Sequence, residues 1–139
     1  MPDKIVRDAM TTSPTAIASD KSVVEAARTM TTENVGSLPV VEEQKLVGMI
    51  TDRDLVTNVL AKDLDPNTVP VADVATHDPV SVSPDESLDT ALERMAEKQV
   101  RRLPVVEDGR LVGILAQADI SRTAQPESTG RMVEKISES

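Results

Sequence analysis

The sequence contains no cysteine, phenylalanine, tyrosine or tryptophan, and only one histidine, His77. Without cysteine the chain can form neither a disulfide nor a thiol-based catalytic centre. Without aromatic rings it offers no platform on which a nucleobase could stack, and its core must be aliphatic. A lone histidine makes no metal site, and no Cys/His/carboxylate cluster with ligand spacing accompanies it. We therefore expect His77 at the surface and no bound metal.

Long apolar runs are also missing. No stretch approaches the ~20 apolar residues that a helix needs to span a bilayer, and the opening Met-Pro-Asp-Lys-Ile contains no hydrophobic signal-peptide core. Acidic residues outnumber basic ones by 24 to 15, which gives a formal net charge of −9. Such a charge disfavours non-specific binding to nucleic acid or to an anionic membrane. We expect a cytoplasmic protein that binds neither.

Catalytic arrangements are absent as well. The chain shows no Ser/His/Asp order, no Walker phosphate loop and no pair of carboxylates placed for acid–base chemistry. The sequence therefore predicts a protein that is not an enzyme and that requires no cofactor.

What the chain does contain is a duplication. The segment Leu38–Val41 (Leu-Pro-Val-Val) recurs at Leu103–Val106, and Gly48 recurs as Gly113, at a constant offset of 65 positions without a gap. In the first copy an apolar strand runs through Gly48 into Thr51 and Asp54 at a predicted helix start. A gapless register of this kind indicates an internal repeat.

The apolar periodicity predicts the same order of strand, helix, strand, strand and helix in each copy, an α+β fold. We assign repeat 1 to residues 1–62, a linker to 63–69, repeat 2 to 70–122 and a polar tail to 123–139. The tail either docks on a neighbour or frays. The predicted elements are a helical turn at 5–10, strands at 15–17, 38–41 and 46–50, helices at 23–33 and 51–61, then strands at 80–82, 103–106 and 111–113 around a helix that starts near 88.

With the Leu-Pro-Val-Val strands and the Gly-x-x-Thr-x-x-Asp turn in view, residues 4–122 resemble a CBS domain pair, also called a Bateman module. The chain is similar to the small stand-alone pairs of that family. The resemblance implies a tandem pair of β-α-β-β-α repeats about a pseudo-twofold axis, with two equivalent clefts between them. It also implies a disc-like homodimer and a regulatory role in which adenine nucleotides or related molecules bind in a cleft.

The turn at Thr51 and Asp54 has two interpretations. A Thr-x-x-Asp spacing caps a helix, and that role alone accounts for both residues. The resemblance adds a ligand, because an ionised Asp54 can accept hydrogen bonds from both ribose hydroxyls while Thr51 meets a phosphate. In repeat 2 the threonine is Ala116, which can do neither, although Asp119 could still take a ribose or simply face the helix dipole. We therefore expect the Thr51 site to be competent and the second site to be weak or empty.

Further candidate residues follow from the family's pattern. Gly36 would let a flat ring approach the backbone, and Pro39, which lacks an N–H, suits an edge or a pocket lip. For every wall residue plain packing is the alternative, and for the arginines the alternative is surface pairing with Glu97, Glu107 or Asp108. Besides Thr51 and Asp54, the first site comprises Arg53, Thr15, Ala16, Ile17, Gly36, Ser37, Leu38 and Pro39, and the second comprises Asp119, Val80, Val82, Arg101, Arg102 and Pro104.

The sequence thus predicts a ligand-sensing regulatory protein. The candidate ligands are AMP, ADP or ATP, ahead of S-adenosylmethionine or NAD. The expected partners are a second copy of the chain, head-to-head or head-to-tail, and an unknown effector protein. The alternative is a dimeric interaction or scaffold protein that binds no nucleotide.

Overall fold

The computed structural model describes residues 4–124, which fall into two compact units. One unit is Thr15–Pro79, and the other joins the residues up to Pro14 to those from Val80 onwards. The opening residues of repeat 1 therefore belong to the unit that contains most of repeat 2. Residues 70–79, which open repeat 2, belong to the unit that contains most of repeat 1. Of the predicted tail, only residues 123–124 are described, so the choice between docking and fraying falls on residues outside the described range.

The described residues form five α-helices, seven strands and two short helices of other types. In chain order they are α1 (Val6–Ala9), β1 (Thr11–Thr12), β2 (Ile17–Ala18), α2 (Val23–Glu33), β3 (Ser37–Glu42), β4 (Lys45–Thr51), α3 (Asp52–Leu55), a π-helix (Val56–Leu60), a 3₁₀ helix (Val71–Asp73), β5 (Thr76–His77), α4 (Leu88–Lys98), β6 (Arg102–Glu107), β7 (Arg110–Ala116) and α5 (Gln117–Ala124).

The unit Thr15–Pro79 is built on the strand order β2-β3-β4-β5. β2 runs parallel to β3, and the pairs β3–β4 and β4–β5 are antiparallel. The strands β3 and β4 are joined through Glu43 and Gln44, which adopt positive φ angles of 50° and 72°. The helix α2 begins at Ser22, whose hydroxyl accepts the N–H of Glu25, and it ends at a left-handed Asn34.

The second unit repeats this layout. β6 and β7 form an antiparallel pair, and β1 adds to the far side of β7. The predicted strand at 80–82 is reduced to a single parallel bridge between Val82 and Val105. Asp108 and Gly109 form the tight hairpin turn that the sequence predicts, with φ angles of 53° and 80°.

Each unit has its own aliphatic core. The methionines Met30 and Met95 are buried in the two cores, as expected for helical core positions. The core of Thr15–Pro79 consists of Ile17, Val23, Ala26, Met30, Leu38, Val40, Ile50, Val59, Val71 and Ala75. The core of the second unit consists of Val6, Val82, Leu88, Ala91, Met95, Leu103, Val105, Leu115 and Ile120.

One local expectation needs correction. The helix after β4 is not uniformly α-helical, because it becomes a π-helix at Val56, where the Thr57 hydroxyl also bonds the Arg53 carbonyl at 2.9 Å. No residue of β2 lies opposite Pro39, so on that side its position is locally an edge, as the sequence suggests. Pro39 is buried in β3, which has β2 on one side and β4 on the other. It is tolerated there because the ladder to β2 begins only at Val40.

Candidate functional site

The turn between β4 and α3 is a complete capping box. The Thr51 hydroxyl accepts the backbone N–H of Asp54 at 3.1 Å, and the Asp54 Oδ2 accepts the backbone N–H of Thr51 at 2.9 Å. Both side chains are half-buried. The helix-capping role predicted from the Thr-x-x-Asp spacing is therefore confirmed.

Only one oxygen of Asp54 serves this cap. Within residues 4–124 its Oδ1 has no hydrogen-bond partner. A carboxylate oxygen carries two lone pairs, so Oδ1 can accept from a ligand without disturbing the bond to Thr51. The turn can thus cap the helix and bind a hydroxyl-bearing ligand at the same time.

Gly36 lies directly beside this turn. Its carbonyl accepts the N–H of Asp52 at 2.9 Å, and the neighbouring Ser37 pairs with Thr51 across β3 and β4. A Cβ at Gly36 would approach Asp52 Oδ2 to 3.1 Å, because the Asp52 carboxylate already lies over this glycine.

The corresponding turn of repeat 2 keeps the backbone geometry and changes the side chains. The Gln117 N–H donates to the Arg101 carbonyl at 2.8 Å, and Arg102 pairs with Ala116. Ala116 has no hydroxyl with which to cap α5. Asp119 is half-buried and contacts Arg122, so its carboxylate is already engaged in an ion pair.

The strand and loop residues predicted to line the first site differ in which of their atoms are accessible to a ligand. Ile17, Leu38 and Pro39 are buried in the unit, so only their backbone atoms could reach a ligand. Thr15 is exposed, but its hydroxyl donates to Glu33 Oε1 at 2.9 Å. Gly36 is exposed, and Ala16 and Ser37 are half-buried. In the second site Val82 and Pro104 are buried and Val80 is half-buried.

The three candidate arginines, Arg53, Arg101 and Arg102, are exposed and form no ion pair with any residue between 4 and 124. Glu107 pairs with Arg7 instead, at 3.6 Å. The alternative in which these arginines are surface ion-pair partners is therefore wrong for the described part of the chain. Their guanidinium groups remain available to an anion.

Sequence reasoning missed an ion pair between Arg94 and Glu86, close in sequence to Val80 and Val82 of the second site. Arg94 donates to both oxygens of Glu86, at 2.7 and 2.6 Å, and also to the Ser81 carbonyl at 2.9 Å. Glu86 Oε2 also accepts the Ser83 N–H at 2.8 Å. The hydrogen bonds from Arg94 lower the pKa of Glu86 below its ordinary value, and those to Glu86 raise the pKa of Arg94. The spacing of eight residues gives no helical i,i+4 signal that would have identified the pair.

Between residues 4 and 124 no group of three or more His, Asp or Glu side chains is placed to hold a metal ion. No helix in that range is long and apolar enough to cross a bilayer. His77 is exposed in β5, as predicted.

A family model for the CBS domain matches residues 6–61 and again residues 71–125. The chain belongs to the CBS domain family. The tandem-pair assignment and the α+β fold class made from the sequence are both confirmed.

Two relatives cover nearly the whole chain. The CBS domain-containing protein YhcV of Bacillus subtilis is 41% identical over 133 residues, which are 95% of this chain and 94% of that protein. Hypoxic response protein 1 of Mycobacterium tuberculosis is 39% identical over 117 residues, 84% of this chain and 82% of that protein. The likeness to stand-alone pairs of that kind is thus confirmed.

Solved structures agree with this assignment. Hypoxic Response Protein I, described with two coordinated zinc ions, has a TM-score of 0.80 at 38% identity, covering 86% of this chain and 98% of that one. The CBS domain pair of MJ0100, solved with 5′-methylthioadenosine and S-adenosyl-L-methionine, has a TM-score of 0.76 at 32% identity, over 87% and 95% of the two chains. CBSX2, solved with AMP, has a TM-score of 0.76 at 32% identity, over 88% and 96%.

Proposed function

We propose that this CBS pair is a regulatory protein that senses an adenosyl-containing ligand, not an enzyme, and that Asp54 grips the ribose. One observation carries the proposal: the Thr51–Asp54 capping box leaves one carboxylate oxygen of Asp54 without a hydrogen-bond partner among residues 4–124. Two relatives of the same fold were solved with adenosyl compounds, which supports this ligand class.

The chemistry of the turn suits a ribose. The 2′- and 3′-hydroxyls are adjacent donors, and an ionised carboxylate accepts such hydrogen bonds about twice as strongly as a neutral group does. Because Asp54 is already held by the Thr51 N–H, binding costs little side-chain ordering. The adenine would be read by backbone groups of the flanking strands, since the chain has no aromatic residue. AMP, ADP, ATP, S-adenosylmethionine and NAD all carry the required ribose.

The absence of Trp, Tyr and Phe makes a direct test simple. Purified protein should show almost no absorbance between 260 and 280 nm, so bound adenine would give a clear band near 260 nm. Protein dialysed to remove this band should recover it on incubation with AMP or S-adenosylmethionine, followed by gel filtration.

Asp54→Asn separates ligand binding from helix capping. The amide oxygen of asparagine can still accept the Thr51 N–H, while the open carboxylate oxygen becomes an NH₂ group. We expect an unchanged free energy of unfolding and about tenfold weaker ligand binding by calorimetry, because charge-assisted acceptors are lost.

A matched control exists in α1, where Asp8 Oδ2 accepts the Ile5 N–H at 3.0 Å in the same i,i+3 arrangement. Asp8→Asn should change neither stability nor binding. Equal ligand affinity in Asp54→Asn and the wild type would place the ribose elsewhere and overturn the proposal.

We further propose that the chain forms a homodimer and acts on a separate effector protein. On the π-helix, Val56 and Leu60 are 54% and 64% exposed and lie one turn apart, an apolar strip suited to a second copy. Leu60→Asp should convert a dimer to a monomer by light scattering, whereas Thr57→Asp, on another face of the same helix, should not. A wild-type monomer would refute this part.

One observation favours the alternative of a scaffold or interaction protein, namely that the helix cap is complete without a ligand. Thr51 and Asp54 satisfy each other without any ligand, as they would in a scaffold or interaction protein that has no nucleotide site. No change in thermal stability with AMP, ATP, 5′-methylthioadenosine or S-adenosylmethionine, in a protein that remains dimeric, would support that alternative.

A further inference from the structure

The two copies of the turn carry opposite charge, although their backbones match. In repeat 1 the side chains around the turn are Asp52, Arg53 and Asp54, and the adjoining position 36 is a glycine. The Asp52 carboxylate lies over Gly36. Two carboxylates and one guanidinium leave this turn with a net charge of −1.

In repeat 2 the same register positions carry cations. Arg101 replaces the glycine and Arg102 replaces the following serine. Gln117 stands where Asp52 stands, so the carboxylate that lies over the glycine in repeat 1 is gone. The one carboxylate among these positions, Asp119, is paired with Arg122, and that pair adds no net charge. The second turn therefore carries a net charge of +2.

From this difference we infer that the two turns select ligands by the charge of the group at the 5′ position. The inference deepens the proposed function and rests on it. The turn of repeat 1 takes an adenosyl compound whose 5′ substituent is neutral or cationic, a thioether or a sulfonium. The arginine-bearing turn of repeat 2 takes a compound with a 5′ phosphate, at lower affinity because Asp119 is already paired. For the first turn the inference places S-adenosylmethionine ahead of AMP, ADP and ATP, which is the reverse of the order that the sequence suggests.

The distances involved make charge decisive. With the ribose held by Asp54, the 5′ substituent lies within about one sugar width of the carboxylates, well inside the Debye length of about 8 Å at physiological salt. At such separations one unit charge changes an affinity by a factor of roughly three to ten in a partly solvated site. A difference of three charges between the turns is enough to sort a phosphate from a sulfonium.

Exchanging residues between the copies tests the inference. The probes are 5′-methylthioadenosine, S-adenosylmethionine and AMP, titrated by calorimetry at 50 and 500 mM salt. The double variant Arg101→Gly, Arg102→Ser installs the residues of repeat 1 in repeat 2. It should weaken AMP at least tenfold and remove most of the salt dependence of AMP binding, while 5′-methylthioadenosine is unchanged.

The reciprocal variant is Asp52→Gln, which installs the residue of repeat 2 in repeat 1. It should strengthen AMP binding several-fold at the first turn, measured in an Asp119→Ala background, and leave 5′-methylthioadenosine unchanged. Lys45→Ser with Lys62→Ser removes two exposed cations elsewhere and serves as the control for net charge. That control should leave the affinities for all three probes within twofold of the wild type.

The outcomes distinguish this inference from the proposed function. If no probe binds, or if Asp54→Asn binds 5′-methylthioadenosine with unchanged affinity, the proposed function fails and the inference falls with it. If the probes bind but the exchange variants shift AMP and 5′-methylthioadenosine equally, or shift neither, only the inference is overturned. Tighter binding of AMP than of 5′-methylthioadenosine at the first turn of the wild type would overturn it as well.

Discussion

The Glu86–Arg94 ion pair allows a quantitative prediction about the stability of the protein. Glu86→Gln keeps the size of the side chain and one acceptor oxygen, but it removes the charge and turns an NH₂ group towards the Arg94 guanidinium. Two short hydrogen bonds, at 2.7 and 2.6 Å, lose their charge assistance. Hydrogen bonds to charged groups contribute about 1.5–3 kcal/mol each when buried. Here the side chains of Arg94 and Glu86 are 35% and 28% exposed, so solvent screening reduces the total.

We expect Glu86→Gln to lower the free energy of unfolding by about 1–2 kcal/mol at pH 7, or roughly 3–8 °C in melting temperature. Unfolding must be followed by far-UV circular dichroism in urea, since the chain has no Trp or Tyr. Glu93→Gln, which removes an exposed carboxylate from the same helix, is the control and should cost less than 0.5 kcal/mol. A double-mutant cycle with Arg94→Met then isolates the coupling between the two side chains.

The pH dependence of the free energy of unfolding provides an independent check of the same ion pair. Arg94 lowers the pKa of Glu86 from its ordinary value of 4.5. The stabilisation is therefore fully present above pH 4.5 and is lost as the pH falls through the lower pKa of the folded protein. The stability difference between wild type and Glu86→Gln should accordingly shrink below pH 4.5. A difference that is independent of pH, or a coupling energy below about 0.5 kcal/mol, would refute the reasoning.

Three further predictions concern the unit Thr15–Pro79 and are measured by the same urea titration. Thr51→Ala removes the cap of α3 and should cost about 1 kcal/mol, within the range for lost N-caps. Gly48→Ala would place a Cβ 2.7 Å from the Thr76 carbonyl on the neighbouring strand and should cost about 1–3 kcal/mol; no loss would mean that the strands separate freely. Val59→Ala, at a buried core position, should cost about 1–3 kcal/mol, whereas Val56→Ala on the exposed face should cost less than 0.5.

The sequence predicted the repeated elements well because the repeat supplies two copies of each pattern. Helix α2 begins after Ser22 and ends at Glu33, as its capping residue and apolar spacing indicate. The hairpin turn at Asp108 and Gly109 also follows from local chemistry, since both residues tolerate positive φ. These features depend on residues close together in the chain, so one sequence is enough to identify them.

The missed features depend on residues that are distant in the chain. The pairing of β1 with β7, just over a hundred residues later, gives no local signal, so the sequence does not show that the opening segment belongs to the second unit. The buried position of Pro39 likewise follows from where β2 begins to pair. At the candidate site the cap was predictable from spacing, but the pairing of Asp119 with Arg122 was not. An i,i+3 spacing permits such a pair and does not require it.

The interactions that already hold Asp54 and Asp119 determine which contacts each turn loses when a ribose binds. Asp54 is held by a backbone N–H, an interaction that uses one oxygen and that persists when the other accepts a ribose. Asp119 is held through Oδ1 by the Arg122 guanidinium, whose positive charge competes with a ribose for the same carboxylate. The first turn is therefore preorganised, whereas binding at the second costs part of an ion pair before it gains anything. The ion pair with Arg122 thus weakens the binding of the sugar at the second turn, whose Arg101 and Arg102 are attractive to phosphate. For this reason we expect the copy that keeps its threonine to be the stronger site for ribose, although we infer that its charge disfavours a nucleotide's phosphate.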